Sequence, residues 1–468
     1  MNQTPQAANY RPATEIDRLM PDIGDPVVAA DFPQTILRYR NDRAAASVGL
    51  EGLSDEQWIA HFGRFAPLEG SLPQPLALRY HGHQFRHYNP DIGDGRGFLF
   101  AQLRDSASRL LDLGTKGSGQ TPYSRFGDGR LTLKGGVREI LATEMLEALG
   151  VITSKTFSII ETGEALERND EPSPTRGAAM VRLSHSHIRI GSFQRAAYLD
   201  DKALLGKLTD YALIQLYGET PGDNPAAELL GRVVERTADL AASYMVAGFV
   251  HGVLNSDNIN VTGESFDYGP WRFTPLWDAA FTAAYFDHQG LYAFGRQAEA
   301  IHWDVAQLAV SLRPLSEAAP LIAQLERFPA LYGEALAQRF CWRLGVMPDA
   351  NASALVEAAV RGMVASSTPI DRFFHDWRGG VARDAAAYTD DSWTPFRQAV
   401  SGVAAVPDAR QHPYWADDAP YSMLIEEVEA IWQSIDTQDD WSPLYDKVAA
   451  IRRLGDALGA YIPGFDDD

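Results

Sequence analysis

His251-Gly-Val-Leu-Asn-Ser-Asp-Asn258 and, a short turn later, Phe266-Asp-Tyr-Gly-Pro270 form the richest polar cluster in the second half of the sequence. An amphipathic pattern from Leu229 to Phe249 runs into it and predicts a long helix that delivers a His-containing loop with an Asp-Asn pair. A β-like turn then presents Asp267 between two aromatic residues. Asn258 and Asp267 are hard oxygen donors, the kind Mg²⁺ takes in small number while keeping several of its waters.

Upstream the texture changes. Between Leu76 and Gly191, short strand-like runs (Gly97 to Leu103, Leu110 to Leu113, Phe157 to Ile160, Ala179 to Leu183) alternate with Gly-rich turns. One helix interrupts them: Val137, Ile140, Leu141, Met145, Ala148 and Leu149 recur near a 3.6 period, and Gly150 stops it. Glu164 to Gly177 reads as a mobile loop between two strands. Beyond Ser192 the pattern is mainly helical to about Leu458, and the acidic end PGFDDD is expected to fray. The predicted fold class is α+β and bilobal, with a cleft between the halves. The expected divisions are an N-terminal extension over 1–75, a strand-rich lobe over 76–191, a helical lobe over 192–400 and a C-terminal helical extension over 401–468.

The first half carries two Gly-Asp-Gly-Arg strings, Gly93 to Arg96 and Gly127 to Arg130. Alternating glycines let successive backbone N–H groups turn toward one anion, and an arginine adds a planar fork for phosphate. Either copy alone reads first as a hairpin turn. Their recurrence on both sides of Lys116 points to phosphate. Lys116 follows a strand-like run, and Glu139 lies in the first turns of the helix that comes next. A strand lysine oriented by a helix glutamate is how kinase-like folds hold phosphates, and in those folds a His-Arg-Asp loop and an Asp-Phe-Gly follow in the second lobe. Here His251 is present, but the position two residues later is Val253, so the ordinary base is missing from its place. Asp257, beside Asn258, is the nearest substitute.

Tyr80-His-Gly-His-Gln-Phe85, Asn89-Pro90, Gly93 to Gly97, Lys116 to Arg125, Arg138-Glu139, Ser186 to Arg189, His251 to Asn258 and Asp267 to Pro270 together resemble the SelO (YdiU) family, over roughly Leu76 to Trp303. That resemblance implies a kinase-like fold that binds ATP in a reversed orientation and transfers AMP to Ser, Thr or Tyr hydroxyls of proteins. It implies that Gly93, Gly95, Arg96, Lys116, Asp128, Gly129, Arg182, Arg189 and Asp267 hold the nucleotide. It further implies that Glu139 orients Lys116, that Asn258 and Asp267 bind Mg²⁺ (or Mn²⁺ in its place), and that Asp257 is the catalytic base. The chain departs from the family after Arg130, where it reads Leu131-Thr-Leu-Lys-Gly-Gly136 instead of an Arg-Ser-Ser-like stretch, and in ending without a cysteine-bearing tail. Beyond about Leu315 the resemblance is loose. A conventional phosphotransferase and a nucleotide-binding pseudokinase scaffold are the alternative readings.

Composition narrows the partners. With 45% hydrophobic residues the chain can bury a real core, and its net charge of −21 argues against nucleic acid. An ATP site must therefore be locally basic against the overall field. The single cysteine, Cys341, rules out an intrachain disulfide and reads as a small buried hydrophobe. With no signal-peptide-like start and no apolar run of membrane-spanning length, a cytoplasmic protein with no membrane partner is expected. His81, His83 and His87 lack cysteines and sit in a turn-rich loop, so a hydrogen-bonded loop is the better reading than zinc. His185 and His187 read as packing or hydrogen-bond partners. Tyr123 and Ser124 lie near the expected phosphates, where structural hydrogen bonding is a better reading than self-modification.

Overall fold

Runs of apolar residues too short for helices and bounded by turn residues dominate the chain up to Ser184, and there it folds as a sheet. A computed structural model describes residues 9–461 apart from 96, 125, 126 and 170. Seven strands carry the sheet: β1 (Gly24–Pro26), β2 (Ile36–Arg40), β3 (Leu76–Leu78), β4 (Leu99–Arg104), β5 (Leu110–Lys116), β6 (Lys155–Leu166) and β7 (Thr175–Ser184). Their spatial order is β1-β3-β4-β5-β7-β6-β2, all antiparallel neighbours, and two short strands join off this path. The segment expected as an extension thus supplies both edge strands. It also supplies Trp58, whose ring stacks on Phe157 at 4.9 Å and whose Nε1–H donates to Ser158 Oγ at 2.9 Å. The strands run past their predicted ends: β6 reaches Leu166 and β7 begins at Thr175, so the expected loop shortens to the residues between them.

The embedded helix, α1 (Leu133–Ala148), begins earlier than its apolar period suggested because Thr132 caps it, its hydroxyl accepting the Gly135 N–H at 3.1 Å. Val137, Ile140, Leu141 and Met145 are wholly buried. Burial of a side chain of that size contributes about 2 kcal/mol.

After β7 the chain turns helical, beginning with α2 (Ile190–Tyr198). The long helix, α3 (Pro225–Ala247), opens on an Asn224 cap with Pro225 in its first turn and closes at Gly248, which is left-handed (φ 70°). Phe249, expected inside the helix, instead pairs with Phe273 in a two-stranded ribbon, because the left-handed glycine reverses the chain before it. Next come α4 (Gln297–Ser311) and α5 (Phe328–Leu344), and the last helix, α6 (Ser442–Leu458), returns to α1, where a Cβ added at Gly455 would sit 3.3 Å from Ala148. A strand-rich N-terminal sheet followed by a largely helical region is the bilobal α+β, kinase-like architecture expected from the sequence. Among the described residues no helix is long and apolar enough to cross a membrane.

Candidate active site

Lys116 ends β5 and lines a cleft beside the sheet. Its Nζ forms an ion pair with Glu139 from α1 and lies 2.6 Å from Asp267 Oδ1. Asp267 adopts a left-handed backbone (φ 69°), which aspartate tolerates better than most residues. The following turn is anchored by Tyr268, whose hydroxyl donates to Ser265 Oγ at 2.6 Å. Arg182, near the end of β7, places Nη1 3.4 Å from Asp267 Oδ1. Arg189, at the start of α2, lies over the Tyr80 ring at 4.2 Å and the Phe266 ring at 4.9 Å, and donates to the Asp257 carbonyl oxygen at 3.0 Å.

Three cations therefore converge on one carboxylate inside a protein of strongly negative charge. Burial by itself would raise the Asp267 pKa, but Lys116, Arg182 and Arg189 hold it well below the usual carboxylate range. Burial would likewise lower that of Lys116, yet Asp267 and Glu139 keep it above its ordinary value. Tyr80, Gly95, Lys116, Arg182, Arg189 and Asp267 are among the residues that line the cleft.

The other expected site residues are placed less uniformly. Gly95 packs on Tyr80, where an added Cβ would fall 2.6 Å from the hydroxyl. Gly93 is left-handed (φ 68°) and lies under the Tyr123 ring, with no space for a side chain. Asp128 and Gly129 lie outside the cleft lining. Asp128 pairs with Arg168 at 2.8 Å, and Gly129 backs onto Gly119. Arg96 lies outside the described residues, as does the acidic end of the chain. Asp257 sits in the 3₁₀ turn Ser256–Asn258, is 6% exposed, and packs on Gly82. Near it Asp304, on α4, is fully buried, and burial first and the Asp257 charge second push its carboxyl well up. The Asn258 amide donates to the Val253 carbonyl at 3.1 Å.

Asn258 and Asp267 are each hard oxygen donors of the kind a divalent cation takes. No group of three or more His, Cys, Asp and Glu side chains able to hold a metal occurs among the described residues. His81 Nδ1 bonds the Tyr88 hydroxyl at 2.8 Å, and His83 Nδ1 accepts from Gln194 Nε2 at 2.7 Å. Ser124 is held by Thr121, while Tyr123 is partly exposed.

Sequence reasoning missed Asp112, which stands behind the cleft in Leu110-Leu-Asp-Leu113 and is 1% exposed. The signal was a lone carboxylate inside an apolar strand, which must have buried partners. It also missed Gln297 at the start of α4, whose Oε1 accepts the His251 N–H at 3.0 Å and whose Nε2 donates to the Phe249 carbonyl at 2.8 Å, so that it holds the loop at its root.

The family model for "Protein adenylyltransferase SelO" matches residues 6–452, well beyond the span that carries the motifs. The chain is 40% identical to the protein nucleotidyltransferase YdiU of Synechococcus elongatus, with 97% of each chain covered. It is 41% identical to that of Synechocystis (95% and 98% covered) and 34% identical to that of Pseudarthrobacter chlorophenolicus (93% and 91% covered). The match extends through the C-terminal helices that had looked only loosely similar. On the shared motifs, the converging cations and a match along nearly its whole length, this chain belongs to the SelO family of protein adenylyltransferases.

Proposed function

We propose that the protein transfers AMP from ATP to Ser, Thr or Tyr hydroxyls of other proteins, with the nucleotide reversed relative to ordinary kinases. The observation that carries this reading is the meeting of Lys116, Arg182 and Arg189 around Asp267 in one cleft. A polyphosphate chain would offset the positive charge that these cations bring to the cleft. In this reading Gly93, Gly95, Arg96, Lys116, Asp128, Gly129, Arg182 and Arg189 hold the nucleotide, and Glu139 keeps Lys116 in place. The family's use of ATP and the donor set support Mg²⁺ held by Asn258 and Asp267. Bound there, the ion would offset charge on the phosphate oxygens.

The acceptor oxygen attacks the α-phosphorus. Its proton passes to the Asp257 carboxylate, the bond from the α-phosphorus to the bridging oxygen breaks, and pyrophosphate departs. The β- and γ-phosphates, bound by the cations, are then the leaving group, which suits an arrangement that places positive charge where negative charge accumulates. Val253 at the usual position of a kinase base weighs against ordinary γ-transfer.

Paired incubations with ATP labelled at the α- or the γ-phosphate test the reading. Label is expected on protein from the α-position only, and none with Asp267→Asn. Label arriving only from the γ-position would overturn it in favour of a phosphotransferase. Nucleotide binding without any transfer would favour a scaffold.

A further inference from the structure

Arg182 reaches the cleft with one edge of its guanidinium already engaged, since its Nε–H donates to His187 Nε2 at 3.3 Å. A neutral imidazole accepts at Nε2 only when its proton is on Nδ1. Nδ1 faces Asp112 Oδ2 at 3.3 Å, the same oxygen that accepts the His187 backbone N–H at 2.9 Å. Asp112 is fixed in turn, because Gln102 Nε2 donates to its other oxygen at 2.7 Å and Gln102 Oε1 accepts the Ile16 N–H at 2.8 Å. Every member of this chain is buried, from Gln102 at 0% exposed to His187 at 7%. The imidazole fits because residue 114, paired with Arg182 across the sheet, is glycine; a Cβ there would fall 2.1 Å from His187 Nε2. Gly114 is outside the left-handed region, so the neighbouring ring, and not the backbone, demands glycine.

We infer that Asp112 and His187 are positioning residues that lock the Nε edge of Arg182, so that its terminal N–H groups are set in advance for the polyphosphate of the nucleotide. Asp112 fixes the tautomer, the tautomer supplies the acceptor, and the acceptor fixes the guanidinium plane. A planar fork held by one edge loses less freedom on meeting phosphate than one that swings on its stem. The inference rests on the proposed role of Arg182 as a phosphate contact, and it adds two residues that meet neither the metal ligands nor the transferred group.

Calorimetric titration of the full chain with inorganic tripolyphosphate, without added metal, and separately with ATP and Mg²⁺ tests it. His187→Met removes the acceptor at similar bulk and is expected to weaken both ligands about tenfold, raising KM for ATP more than it lowers kcat. His187→Gln returns an acceptor oxygen and should recover most of the loss. Gly114→Ala, which displaces the ring while leaving the backbone permitted, should mimic His187→Met and serves as the second variant if that one folds poorly. In an Arg182→Gln background, His187→Met should weaken tripolyphosphate binding by no more than about twofold. Unchanged tripolyphosphate binding in His187→Met, or a full further loss in the Arg182→Gln background, would overturn the inference. If Arg182→Gln alone leaves tripolyphosphate binding intact, it is the reading of Arg182 that fails, and this inference falls with it.

Discussion

Glu139 and Glu144 lie little more than one turn apart on α1, and both are almost fully buried, at 2% and 4% exposed. Glu144 faces away from the cleft into a closed network. The Tyr39 hydroxyl donates to its Oε1 at 2.6 Å, and Arg452 from α6 binds both oxygens, at 2.6 Å and 2.8 Å. Glu139 faces the cleft and meets Lys116, which is 21% exposed and is shared with Asp267. One carboxylate is saturated by protein groups, as a structural pair must be to offset the cost of burial. The other belongs to a cluster whose cations remain open to a ligand. Charge burial alone does not distinguish a clamp from a site; access of the cations to the cleft does.

Breaking the open cluster should cost function far more than stability. Asp267→Asn, chosen because asparagine also accepts the left-handed backbone, is expected to lower kcat/KM on the order of a thousandfold or more, with the urea midpoint lowered by the loss of the ionised carboxylate's pairing with Lys116 and Arg182. Steady-state kinetics beside urea unfolding checks this. Breaking the closed network should do the reverse. Arg452→Met leaves Glu144 buried beside Tyr39 and is expected to cost roughly 2–4 kcal/mol of stability, while tripolyphosphate affinity at a temperature where the chain is folded stays unchanged.

Glu264 offers a third kind of buried acid, one dominated by burial. Its Oε2 accepts the His185 N–H at 2.7 Å, and burial pushes its carboxyl up to about 7 from an ordinary 4.5. The folded state therefore binds the extra proton between those values, and stability falls as pH rises from about 4.5 to about 7. Glu264→Gln should flatten that fall, by on the order of 1–3 kcal/mol across the window. Urea midpoints at several pH values measure it. The smallest effect is expected on the rim. Asp128 is 49% exposed and pairs with Arg168, so Asp128→Ala should change KM for ATP by about fivefold or less.

The open side of α1 was legible in the sequence and the closed side was not. Lys116, Glu139, Asn258 and Asp267 sit in short strings whose chemistry depends on local order, so reading along the chain finds them. Arg452 meets Glu144 across most of the chain length, and nothing near either residue announces the other. The first 75 residues carry little motif content, yet their strands bound the sheet on both sides, because edge pairing needs backbone groups more than particular side chains. Helix ends moved where a cap or a left-handed glycine, Thr132 or Gly248, overruled the apolar period. His187 was read correctly as a hydrogen-bond partner, but its place between Asp112 and Arg182 depends on strand register, which the sequence alone does not specify.

The most direct test of the central claim, that the open cluster around Lys116 and Asp267 transfers AMP, is the mass of the adduct left on protein. Lysate proteins incubated with the enzyme, ATP and Mg²⁺ should gain adenylyl groups on Ser, Thr or Tyr, and those adducts should vanish with Asp267→Asn but persist with Arg452→Met. Phosphoryl adducts in their place, or adenylyl adducts undiminished by Asp267→Asn, would contradict it.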